Sequence, residues 1–225
     1  ISQIRQAVQQ GRLDATIKVN ASPVASSQFM VFNWNKASDP FKQSLFRSDK
    51  FRRAMSHLVN RQAVIDIVYG GLGTPMYSSV YPVLTQWINP KVPKYEYDPK
   101  QAAKLLAELG FTKKDREGYL VDSKGRRIEF NLATNAGNTQ REQIAKLIVD
   151  EAKKVGVKVN FQAIDFNTLV GQLLSSGPDR PFDAIIIGLT GGGLDWPFGS
   201  NVVPCKGNLH MWNKSGQCLD PRETL

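Results

Sequence analysis

Two histidines and two cysteines are all that 225 residues hold of the side chains most used for metal binding and nucleophilic catalysis. His57 falls within an amphipathic helix pattern and His210 within a stretch flanked by cysteines. Neither has an H-E-x-x-H, C-x-x-C or G-x-S-x-G context, so zinc sites and hydrolase triads lack their parts, and both read as satisfied histidines. Neither G-x-G-x-x-G nor G-x-x-x-x-G-K-[ST] occurs, which removes the two common phosphate cradles. Apolar runs are short. Nothing approaches the ~18 residues of a membrane-spanning helix, and Ala184–Ile187 has the length of a buried strand. Acids are also scarce, 20 against 29 Lys and Arg. Arg47, Lys50, Arg52, Arg53 and Arg61 gather around one helix, as a nucleic-acid footprint would. The other cations are dispersed among acids without a nucleic-acid-reading motif, so the cluster reads as a solvated face and no nucleic-acid partner is expected.

What is present is an ordinary globular composition, 22% charged and 41% hydrophobic. A chain of this length buries roughly 70% of its unfolded surface, so disulfides are optional. Cys205 and Cys218 are spaced for a disulfide closing a short loop, worth ~3 kcal/mol by loop entropy, or remain as free thiols. The chain opens at Ile1 without a leader pattern, and Asp220-Pro221-Arg222-Glu223 has the order of a helix start just before Leu225. A fragment of a longer protein is expected.

The spacing predicts a helix over Ser2–Gln10 and strands over Ala15–Val19 and Gln28–Trp34, followed by a linker with Ser38, Asp39 and Pro40. Two helices lie between Asp49 and Tyr69, the second capped by Asn60. The proline- and aromatic-rich stretch after Gly73 reads as an ordered surface loop, and Asp98-Pro99 starts another helix. A hairpin pairs Tyr119–Val121 with Arg127–Ala133 across Asp122–Gly125. Thr139 and Glu142 then read as a capping box before a helix ending at Gly156. Val157–Ala163 is a strand, Asp165 caps a helix, and Phe182–Gly188 is a buried strand. Strand, helix, strand, helix, strand predicts a βαβαβ unit with a parallel sheet in an α/β fold.

Ligands of open parallel sheets sit beyond the carboxyl ends of the strands. That rule selects three loops, Thr134–Asn138, Asp165–Asn167 and Leu189–Asn201. The third is richest, with Thr190, Gly191, Gly192, Gly193, Leu194, Asp195 and Trp196. Its glycines permit close backbone approach to a ligand, Asp195 offers a carboxylate and Trp196 a flat apolar face. A tight turn capped by Asp195 fits equally well. An enzyme using Asp195 and Asp165 as acid and base is the rival from another class.

Several motifs in order then resemble one family, the bacterial extracellular solute-binding proteins of family 5. They are Phe29–Trp34, Phe51-Arg-Arg-Ala-Met55, Asn60-Arg61, Gly71-Leu-Gly73-Thr-Pro75, Pro82, Tyr97-Asp98-Pro99, Leu105-Leu106, Glu108-Leu109-Gly110-Phe111, Gly156–Val159 and Phe182-Asp183. The resemblance implies a periplasmic-binding-protein-like type II lobe, with a mixed sheet and its βαβαβ unit flanked by helices. Residues 1–225 would be a single lobe, the second, C-terminal one of a two-lobed protein, truncated at both ends. It implies a monomeric, non-enzymatic binding component without cofactor or metal. Such a component captures di- or oligopeptides in a hinged cleft and hands them to ABC permease subunits. Oligosaccharides, nickel complexes or haem are the alternative cargo. The location implied is periplasmic or extracellular, with secretion or a lipid anchor. Asp195 stands where peptide-binding members hold the ligand's amino group, with Trp196, Gly192, Gly193 and Thr190 beside it. Asn33, Trp34 and Asn35 would meet the ligand or hinge.

Overall fold

A computed structural model describes residues 2–18, 26–190 and 201–224. Helix α1 (Ser2–Gln9) comes first and strand β1 (Ser26–Phe32) next. Residues 15–18, expected as a strand, form none, and all but Ile17 are exposed. β-forming residues without a partner strand do not make one. The expected linker is instead helix α2 (Pro40–Arg47), with Asp39 accepting from the Lys42 amide at 3.0 Å. Its Asp-Pro start is the signal that Asp98-Pro99 gives to α5 (Pro99–Glu108). Between them lie α3 (Asp49–Leu58) and α4 (Arg61–Tyr69), the latter capped by Asn60 accepting from Ala63 N at 3.0 Å. Residues 71–97 hold only a 3₁₀ turn, Thr85–Trp87, as the prolines require, yet Tyr81 and Leu84 are buried.

The expected hairpin shrinks to a bridge between Val121 and Arg127, because β3 (Leu120–Val121) pairs with β2 (Lys113–Lys114). β4 (Glu129–Asn135) leads into α6 (Thr139–Val155). The cap of α6 is Asn138, one residue before the expected Thr139. Asn138 accepts from Arg141 N, and Glu142 accepts from Gly137 N, both at 3.0 Å. Gly156 ends α6 at φ +92°, where an added Cβ would stand 3.0 Å from the Gly118 carbonyl. β5 (Lys158–Ile164), α7 (Phe166–Leu174), capped by Asp165, and β6 (Ala184–Thr190) complete the alternation.

These strands make one mixed sheet in the order β1-β6-β4-β5, with β4 parallel to β5 and β6 and β1 antiparallel to β6. Both faces are covered, as parallel strands require. On one face Phe32, Phe130, Leu132, Ala184 and Ile186 pack against α3, α5 and α6. Phe32 lies 5.3 Å from Phe46, 5.2 Å from Phe51 and 5.3 Å from Phe130, centroid to centroid. On the other face Val31, Ala133, Ile185 and Ile187 meet Leu169 and Leu173 of α7, with Met211. Each buried Phe, Leu, Ile, Val or Met among them contributes roughly 2 kcal/mol.

The amino end of β6 is closed by the segment between Cys205 and Cys218, which the structure joins as a disulfide with Cα atoms 5.3 Å apart. Trp34 N donates to Trp212 O at 2.7 Å, Asn35 Nδ2 to Asn213 Oδ1 at 3.0 Å, and Lys214 N to Asn35 Oδ1 at 2.6 Å. Arg180, 1% exposed, donates to the carbonyls of Met211 and Leu173 and stacks 4.7 Å over Phe182.

Candidate functional site

The chain order places the switch point of the sheet. From β4 it passes through α6 on one face to β5, then through α7 on the other face to β6, on the far side of β4. Between the carboxyl ends of β4 and β6 the two crossovers diverge, and ligands of open α/β sheets bind in that crevice. The β4–β6 ladder itself stops at Ala133–Ile185.

The residues brought to this crevice come from four elements. β4 ends in Asn135, and the turn into α6 forms an open depression of about 420 Å³ lined by Asn135, Ala136, Gly137, Asn138, Thr139 and Gln140. Arg141, in the first turn of α6, donates through Nη1 to Asn135 Oδ1 and through Nε to Gln28 Oε1, both at 2.8 Å. Among the described residues it has no carboxylate partner; burial draws its pKa down, opposed by Tyr69. A cation held by neutral oxygens remains available to an anion. Gln28 of β1 faces Gly188 of β6 in register. A Cβ on Gly188 would stand 2.5 Å from Gln28 Nε2 and 2.9 Å from Arg141 Nη2, so the glycine makes room for both side chains.

Thr190 ends β6 at the crevice, opposite Ser26. Gly192, Gly193, Asp195 and Trp196, in the loop that follows it, lie outside the described residues. Asn33, Trp34 and Asn35 stand apart from this crevice. They follow the carboxyl end of β1, which pairs with the amino end of β6, so they lie some 20 Å along the strands from the crevice. Asn33 and Asn35 are fully buried, and Asn33 Nδ2 donates to Phe182 O at 2.7 Å. These amides fasten the lobe internally.

The histidines behave as expected. His57 Nδ1 meets Glu96 O at 2.6 Å, and His210, buried against Trp212, has Nδ1 2.9 Å from Val202 O. Among the described residues no group of His, Cys, Asp or Glu is placed to hold a metal ion. Asp165 is held ionised below its usual range, chiefly by the Thr168 amide it caps, which suits a cap and not a general acid. Sequence reasoning selected the loop Thr134–Asn138 and missed Arg141, three residues beyond it. Its signal was a cation in the first helical turn after a strand, where the helix dipole disfavours one.

Compared with known proteins, residues 2–207 match the family described as bacterial extracellular solute-binding proteins, family 5 Middle. The whole chain is 52% identical to a probable ABC transporter-binding protein of Deinococcus radiodurans, over 39% of that protein. Over 71% of its length it is 34% identical to the oligopeptide-binding protein AppA of Bacillus subtilis, covering 28% of that protein. The solved structure of AppA from Bacillus subtilis in complex with a nonapeptide superposes with a TM-score of 0.73 at 27% identity, covering 93% of this chain and 40% of that one. The chain thus spans about two fifths or less of the length of the relatives it matches.

Proposed function

The chain belongs to the bacterial extracellular solute-binding proteins of family 5, and from that premise we propose that it is a single lobe of a two-lobed protein that captures short peptides. The α/β lobe of periplasmic-binding-protein type II, with its mixed sheet, is the observed fold. Its family and relatives are binding proteins, and the function proposed is capture and delivery to the permease of an ABC importer on the outer side of the membrane. A second lobe would close over the ligand by hinge motion.

The observation that carries the peptide assignment is Arg141, a cation at the β4–β6 crevice with no acidic partner among the described residues. Asp195 follows in sequence soon after Thr190, where β6 ends at the same crevice. A peptide at neutral pH carries one carboxylate and one ammonium group, and one cation with one anion match it. In this reading Arg141 receives the carboxylate and Asp195 the amine, each as a charge-assisted hydrogen bond in a site that closure dries.

Gly188→Ala tests the cation's placement. The new methyl group overlaps the ends of Gln28 and Arg141, so the guanidinium must swing away while the backbone stays. In the full-length protein, affinity for trialanine should fall roughly tenfold, as for a weakened hydrogen bond to a charged group. Isothermal titration calorimetry reads it, and an unchanged Kd would show that Arg141 does not meet the ligand.

The assignment as a whole is tested by native mass spectrometry of the full-length protein, purified without refolding. A ladder of short peptides is expected. A single sugar, metal complex or haem species would keep the binding role and sink the peptide reading.

A further inference from the structure

The two ends of the stretch 76–95 meet at one side chain. Arg61 Nε donates to Met76 O at 3.0 Å, and its Nη1 to Tyr95 O and Ser56 O, both at 3.2 Å. Its Nη2 reaches Ser56 Oγ at 2.9 Å, and the guanidinium lies 4.9 Å over the Tyr77 ring. Burial draws its pKa down, and no carboxylate pairs with it among the described residues. One arginine therefore closes the neck of a strap that folds back through turns at Pro82 and Pro90.

The far side of the strap reaches β6. Tyr81, 3% exposed, donates its hydroxyl to Leu189 O at 3.1 Å. Leu189 lies beyond the last β4–β6 pair, Ala133–Ile185. Past that point β6 packs Ile186 and Ile187 into the two cores and is hydrogen-bonded to β1, to Thr134 Oγ1 through Ile186 O at 2.9 Å, and to this phenol. Two residues after Leu189 the glycine-rich loop that carries Asp195 begins.

We propose that Tyr81 is a positioning residue for ligand capture. The strap 76–95, latched by Arg61, fixes the end of β6 through the Tyr81 hydroxyl and so sets where the ligand-binding loop departs. The role rests on the peptide reading for its consequence in affinity, while the fixing of β6 stands apart from it. Tyr81 touches no ligand in this account. It removes freedom from the strand end before a ligand arrives, so the ordering cost of binding is lower.

The test is Tyr81→Phe in the full-length protein, which removes one oxygen and keeps the buried ring. Tyr77→Phe, on the same strap, is the control. With trialanine as probe, Tyr81→Phe should raise Kd by about 3- to 10-fold, the weight of one neutral hydrogen bond, mainly through faster dissociation. Amide exchange should quicken at residues 188–190 while Tyr77→Phe changes neither. An unchanged Kd in a protein that binds trialanine overturns the proposal, as does an equal loss in the control. If the parent protein ignores trialanine, the peptide reading fails and exchange decides alone. Faster exchange confined to residues 188–190 upholds the positioning role, and unchanged exchange overturns it.

Discussion

Asp195→Ala in the full-length protein is expected to weaken trialanine binding by roughly 100- to 1,000-fold, the cost of removing one partner from a buried charge pair. An ammonium group enclosed between two lobes without a counter-charge is expensive, and most of the loss is that desolvation. Asp195→Asn should lose nearly as much, since it keeps the shape and removes the charge. N-acetyl-trialanine should bind the parent protein as poorly as trialanine binds the variant. Calorimetry on the four combinations decides it. Equal affinity of the parent for the free and acetylated peptides would sink the amine clamp.

The elements at this edge were legible because their signals are local. Alternation in β4 and β5, the Asp165 cap and Gly156 each act within a few residues, while the cap of α6 falls at Asn138, one residue before the Thr139 that the spacing indicates. The mixed sheet was legible only in part. The βαβαβ order fixes three parallel strands, whereas the pairing of β1 with β6 joins residues about 150 apart and leaves no trace in local spacing. The same reason hides the internal bonding of Asn33 and Asn35 from the sequence. Two asparagines beside a tryptophan look like ligand contacts until their partners, Phe182, Asn213 and Lys214, are brought in from the far end of the chain. Arg141 was passed over because its availability depends on which acids are absent around it in space.

Arg180→Met is expected to lower stability by about 3 kcal/mol in urea denaturation, with a matching loss of protection in the Cys205–Cys218 segment. Burial pulls the guanidinium down to about 10 from the ordinary arginine range, so holding its charge inside costs about 3 kcal/mol at neutral pH. Two charge-assisted hydrogen bonds to Met211 and Leu173, about 1.5–3 kcal/mol each, and the stacking on Phe182 offset that cost. Methionine relieves the desolvation but strands two buried carbonyls and unties the segment from α7. The pH sign follows from the same shift. The folded state binds fewer protons than the unfolded one from about pH 10 up to the ordinary arginine pKa, so this group's penalty is full below that window and fades as pH rises through it. A variant within about 0.5 kcal/mol of the parent would show that Arg180 carries no net weight in the fold.

The antiparallel pairing of β1 with β6 also dictates an order of events. Ser26–Phe32 cannot find its partner until Ala184–Thr190 exists and is exposed, so an emerging chain must keep β1 unpaired while roughly 150 residues follow it. The central βαβ unit of β4, α6 and β5 closes over a far shorter span and can condense first. In pulsed hydrogen-exchange refolding, amides of β4 and β5 should gain protection before those of β1; simultaneous protection would refute that order. A sheet whose first-made strand pairs with its last-made one stays open at that edge until the whole sheet has been synthesised.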